Sequence, residues 1–176
     1  MFLDARHEPQ QTNHIVETMP SVLGYSLERT RSIYAFLDAR HETQQTNHIV
    51  ETLPSVLGYS LERTRSIYAF LDARHETKQT NHIVETLPSV LSCSLERTRS
   101  IYRNLEKKIN NANEYIASFP LILYLSPKTV ESSSLEQLLN IVRRLEERVQ
   151  KREIPLIGEF GDRTDRVMYQ EFINAE

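Results

Sequence analysis

The stretch Leu53-Pro54-Ser55-Val56-Leu57-Gly58-Tyr59-Ser60-Leu61-Glu62 decides how this chain is read, because versions of it return at an almost constant interval. It begins again at Met19-Pro20, at Leu87-Pro88 and, more loosely, at Phe119-Pro120, with a fainter echo at Ile154-Pro155. The prolines at 20, 54, 88, 120 and 155 are 34, 34, 32 and 35 residues apart. A period of that length marks an array of helical repeats, in which each unit buries its apolar face on its neighbours rather than around one central core.

Working outward from the phrase, residues 2–35, 36–69 and 70–103 are three copies of one 34-residue sequence. The first differs from the second only at Pro9/Thr43 and Met19/Leu53, and the third from the second at Lys78, Ser92, Cys93 and Arg103. Such identity marks either a recent duplication or engineering. Each copy reads as two helices and a short turn. Ser60 is a favourable N-cap for a long helix running to about His75, with Glu62 in its first turn where a carboxylate suits the helix dipole. Leu61, Thr64, Ile67, Tyr68 and Leu71 share one face of it. A shorter helix starting near Thr43 or Thr46 carries Ile49, Val50 and Leu53, and Pro9 at the place of Thr43 puts that position at the connection or first turn. Pro54 to Leu57 then forms a turn that tucks Val56 and Leu57 inward before Gly58 ends it.

After Arg103 the copies diverge. Residues 104–126 keep the pattern in a unit shortened by two, with Leu105, Ile109, Tyr115, Ile116, Phe119 and Ile122 in apolar slots. Ser126-Pro127-Lys128 opens a further segment. The strongest amphipathic helix is expected over 134–152, capped by Ser134 with Gln137 three residues on and lined by Leu135, Leu138, Leu139, Val142, Leu145 and Val149. The expected division is therefore near-identical repeats over 1–103, degenerate repeats over 104–160, and a C-terminal capping helix within 161–176. The first copy starts at a residue deep in the long helix, so it lacks the Ser-Leu-Glu-Arg-Thr-Arg turns that the others receive from the preceding copy. An open end of this kind predicts fraying or self-association there.

The unit resembles the repeat of the mitochondrial transcription termination factor (mTERF) family. The resemblance rests on Leu53-Pro54 through Leu57 and Ser60, then Phe70-Leu71, then Ile83-Val84, and again on Phe119-Pro120, Leu123 and Ser126; it covers roughly residues 2–130. It implies an all-α solenoid, a right-handed or left-handed superhelix of helical units, whose inner surface cradles nucleic acid through basic residues.

The charge balance runs the other way. Lys plus Arg is 21 against 24 for Asp plus Glu, a net charge of -3, so no global basic footprint for DNA or RNA exists. Local rows remain candidates. Neighbouring helices pack about 8–10 Å apart, which would align Arg29, Arg63 and Arg97 in one row and Arg31, Arg65 and Arg99 in another, able to track a phosphate backbone. Alternatively these arginines pair with Glu28, Glu62, Glu96 and with Asp4, Asp38, Asp72 as a solvated face, the first two copies each holding four acids and three bases. The cluster Arg143, Arg144, Arg148, Lys151 and Arg152 is a further candidate contact for nucleic acid or an acidic partner, with Glu147 placed to neutralise part of it.

All six histidines lie in the copies, at 7, 41, 75 and at 14, 48, 82, and their spacing favours polar packing between units over a shared metal ion. Asn13, Asn47 and Asn81 read as helix-start caps or base readers. A single cysteine, Cys93, at a tyrosine position of the other copies, excludes an internal disulfide and fits a reducing compartment. No run approaches the roughly 18 apolar residues of a membrane span, and no secretory signal is seen, so a soluble intracellular protein is expected. No phosphate loop, nucleophile elbow or cofactor motif appears, and an array of equal copies suits binding better than catalysis. The expectation is a non-enzymatic repeat protein without cofactor, binding nucleic acid or serving as a protein-interaction scaffold.

Overall fold

The computed structural model of the chain describes residues 2–150, and all regular structure among them is helical. The expected 161–176 capping helix, residues 151–160, and the candidate residues Lys151 and Arg152 lie outside the described residues.

Two kinds of α-helix alternate. The shorter ones are α1 (Pro9–Thr18), α3 (Thr43–Thr52), α5 (Thr77–Thr86) and α7 (Ala112–Ser118). Following them are α2 (Leu27–Asp38), α4 (Leu61–Asp72), α6 (Leu95–Glu106) and the six-residue α8 (Pro127–Ser132), and α9 (Leu135–Gln150) closes the described chain. Short 3₁₀ turns stand at Leu3–Ala5, Pro20–Gly24, Pro54–Gly58, Pro88–Ser92 and Pro120–Tyr124.

The local causes are the ones the sequence supplies. Ser26, Ser60, Ser94 and Ser126 each cap a helix by accepting the backbone N–H three residues on. At Ser134 the reciprocal capping box is complete: Ser134 Oγ accepts from Gln137 N–H, and Gln137 Oε1 accepts from Ser134 N–H at 2.7 Å. Pro9 occupies the first position of α1, where its missing N–H would be unpaired in any case. The prolines of the 3₁₀ turns likewise sit at their first positions, and the turns tuck Val56 and Leu57 fully into the core.

One boundary differs from expectation. The long helix ends at Asp72 rather than near His75, because the N–H groups of Arg74 and His75 both turn back onto the Leu71 carbonyl. That tighter turn swings the Arg-His pair off the helix and toward the following copy.

Helices one period apart pack on each other: α1 on α3, α3 on α5 and α5 on α7, with α2 on α4, α4 on α6 and α6 on α8. The proline turns contact one another in succession, from Pro20–Gly24 to Pro120–Tyr124, and α9, whose Leu138, Val142 and Leu145 are buried, lies against the last of them. A continuous set of buried residues joins all these contacts, with Ile33, Tyr34 and Leu37 recurring as Ile67, Tyr68 and Leu71 and as Ile101, Tyr102 and Leu105. Burial of such side chains stabilises by roughly 1.5–3 kcal/mol each before conformational entropy is counted.

Candidate functional site

Between neighbouring copies the chain places one recurrent polar cluster. His7 Nε2 lies 2.6 Å from the Tyr34 hydroxyl and its Nδ1 lies 3.0 Å from Glu51. Since an ionised carboxylate only accepts, Nδ1–H donates to Glu51 and Nε2 accepts from Tyr34. His41 repeats the arrangement with Tyr68 at 2.7 Å and Glu85 at 2.6 Å. His75 bonds Tyr102 at 2.7 Å, but Ala117 stands in register with Glu51 and Glu85, so the third histidine faces no glutamate there. Burial holds the His75 pKa below its ordinary value, with the Arg74 charge adding to the effect. Burial likewise raises the phenols of Tyr34, Tyr68 and Tyr102, which therefore stay neutral donors.

The arginine preceding each of the first two histidines locks the same seam. Arg6 grips Asp38 through two bonds of 2.7 Å, holding that carboxyl below its ordinary value, and Arg40 reaches Asp72 at 2.7 Å. Their guanidinium groups cover the Tyr34 and Tyr68 rings at 4.6 and 4.5 Å. Edge-on contacts of Phe2 with Tyr34, Phe36 with Tyr68 and Phe70 with Tyr102 complete the cluster, at 5.2–5.4 Å between ring centres. Asn47 and Asn81 donate across the seam to the main-chain carbonyls of Arg6 and Arg40. They do not cap helices, whose N-cap positions are Glu42 and Glu76; they tie short helix to loop.

The first candidate row spends its charge on the backbone. Arg29 donates to the Tyr59 carbonyl at 3.3 Å, Arg63 to the Ser92 carbonyl, and Arg97 to the Tyr124 carbonyl at 2.7 Å. Each therefore satisfies a carbonyl at the end of the next 3₁₀ turn, an end that a helix leaves open. The second row, Arg31, Arg65 and Arg99, is exposed, each guanidinium 5.8–5.9 Å from Phe2, Phe36 and Phe70 respectively. The acids named as partners for these rows divide differently: Asp38 and Asp72 are taken by Arg6 and Arg40. Arg143 and Arg144 are exposed on α9 and Arg148 is half-buried.

Where α1 faces α3, a groove of about 680 Å³ is lined in part by Asp4, Glu8 and Glu51 together with Arg6, His7 and His48. Carboxylates outnumber guanidinium groups in it, and Arg6 is held by Asp38. The exposed histidines His14, His48 and His82 stand apart from the buried set, and no group of three metal-ligating side chains comes together among the described residues. Cys93 is half-buried with its thiol 3.7 Å from the Ser89 carbonyl.

No known protein family matches the chain, and no curated protein is similar to it.

Proposed function

We propose that the chain is a solenoid of stacked 34-residue repeats and acts as a non-catalytic interaction scaffold. The observation that carries this reading is the fate of Arg29, Arg63 and Arg97, whose guanidinium groups bond main-chain carbonyls of the next turn even though Arg29 and Arg63 are exposed. This charged row thus serves cohesion between units. The acid-lined groove between α1 and α3 and the net charge of -3 support the same reading. Like units repeated along the chain suit a surface that meets an extended protein partner, not a single reacting centre.

A second reading is nucleic-acid binding in the manner of the mitochondrial transcription termination factor family. One observation favours it: Arg31, Arg65 and Arg99 are exposed at equivalent places on successive long helices, joined by the exposed Arg143 and Arg144. Fluorescence anisotropy with labelled duplex DNA and single-stranded RNA, at low and moderate salt, separates the two. The scaffold reading expects no salt-sensitive binding. Binding that weakens with salt and is lost on replacing Arg31, Arg65 and Arg99 together by alanine would establish the second reading instead.

A further inference from the structure

Three buried histidines share one pose, and only two of them meet a carboxylate. Nε2 of His7, His41 and His75 lies 2.6, 2.7 and 2.7 Å from the hydroxyl of Tyr34, Tyr68 and Tyr102. The ring planes cross at 60°, 63° and 65° with centres 6.0, 6.0 and 5.8 Å apart, so the third imidazole is held as the first two are. With Nε2 accepting from the phenol, Nδ1 carries the proton in each. Glu51 and Glu85, each two residues before the cap of its short helix, accept from Nδ1 of His7 and His41. The same place on α7 is Ala117, so the third seam keeps the donor and lacks the acceptor. Nδ1 of His75 bonds nothing among the described residues and is not sealed from solvent. The side chains of Glu51 and Glu85 are 23% and 32% exposed, which puts this corner of the seam within reach of water.

The neighbouring arginine changes in the same sense. Arg6 and Arg40 are held by Asp38 and Asp72, whereas Arg74 forms no ion pair among the described residues and lies 4.0 Å from the Phe70 ring. Its positive charge acts on the His75 ring. The third copy also holds five bases against four acids, where the first two each hold three against four. An N–H donor beside an unneutralised guanidinium favours an anion over a cation or an apolar group.

We propose that the third seam, at His75 Nδ1 beside Arg74 and against Ala117, is a recognition site for a carboxylate supplied from outside the seam. The first two seams display the bound form, a glutamate oxygen 3.0 or 2.6 Å from Nδ1. What Glu85 carries beyond its Cβ and Ala117 does not is an acetate-sized group. An acidic side chain of a partner polypeptide and a free small carboxylate both supply it. The first source deepens the scaffold reading by naming its partner's chemistry, and only the choice of source rests on that reading.

The test uses the full chain. Acetate is titrated at about pH 7, where it is ionised, while the histidine ring signals are followed by two-dimensional NMR. A saturable shift is expected at His75 and none at His7 or His41, whose Nδ1 groups already have their carboxylates. Ala117→Glu restores the residue of the other two seams; it should move the His75 signals toward those of His41 and abolish the response to acetate. A labelled tetraglutamate peptide followed by anisotropy separates the sources. Binding about tenfold or more tighter than acetate, weakened about tenfold by Ala117→Glu, assigns the site to a partner's acidic segment, and binding no tighter than acetate assigns it to a free carboxylate. Ser118→Glu adds the same charge at an exposed neighbouring position and should change either affinity by less than about twofold. No saturable shift at His75, an equal shift at His7 and His41, or equal weakening by Ala117→Glu and Ser118→Glu overturns the inference. The scaffold reading fails separately, through salt-sensitive nucleic-acid binding that depends on Arg31, Arg65 and Arg99.

Discussion

The buried histidines show how much a single side chain decides here. His41 sits between a phenol and a carboxylate, so Tyr68→Phe leaves the imidazole Nε2 buried without its donor. A loss of about 1–3 kcal/mol is expected in urea unfolding, with fold retained. His75 makes a pH prediction with a definite sign. Its folded pKa is depressed, so the unfolded chain takes up a proton, from about pH 6.5 downward, that the folded chain resists. Stability from this residue is full above about pH 6.5 and declines as pH falls through that value toward the lower folded pKa. The unfolding midpoint, measured from about pH 7.5 to about pH 5.5, should drop less in His75→Gln than in the parent chain. Spacing pointed to polar packing between units for all six histidines; His7, His41 and His75 make it, whereas His14, His48 and His82 are exposed. The roles of Arg6 and Arg40 were not legible, since nothing local distinguishes an arginine that meets an aspartate 32 residues away from one that meets solvent.

At the scale of the element, caps and turns follow from short-range chemistry and were therefore readable. Ser60→Ala removes the acceptor for the Arg63 N–H and is expected to cost about 1 kcal/mol, measurable as a lowered unfolding midpoint. The glycines separate local from tertiary effects. Gly24→Ala meets nothing and should stabilise by about 0.4–1 kcal/mol through the unfolded chain. Gly58→Ala carries the same local gain but must displace the Tyr25 ring, so its measured stability should fall below that of Gly24→Ala. Ser92 at the equivalent place in the third copy indicates that the neighbouring tyrosine can yield to a side chain. The long helix, by contrast, was read three residues too far, because Ala73, Arg74 and His75 have helix-compatible composition. What ends it is the withdrawal of Arg74 and His75 into the next seam, where Arg74 lies 4.0 Å from the Phe70 ring and His75 holds Tyr102.

For the molecule as a whole, identical residues differ in worth according to what stands beside them. Leu57→Ala should cost about 2–5 kcal/mol by opening a cavity between neighbouring turns, and Leu91→Ala a similar amount. Leu23→Ala, the same substitution in the same local sequence, should stay within about 0.5 kcal/mol of the parent, since that side chain is already in water. Chemical denaturation of the three variants checks this directly. From the sequence alone came the helical class, the period, the serine caps, the proline turns and the apolar face of each helix, because all of these depend on residues within a few positions of one another. Only the tertiary structure decided which copy of a leucine is buried, which arginine bonds a carbonyl and which grips an aspartate. Near-identical copies carry the same local information, and the difference between them is supplied entirely by the neighbouring copy each one packs against.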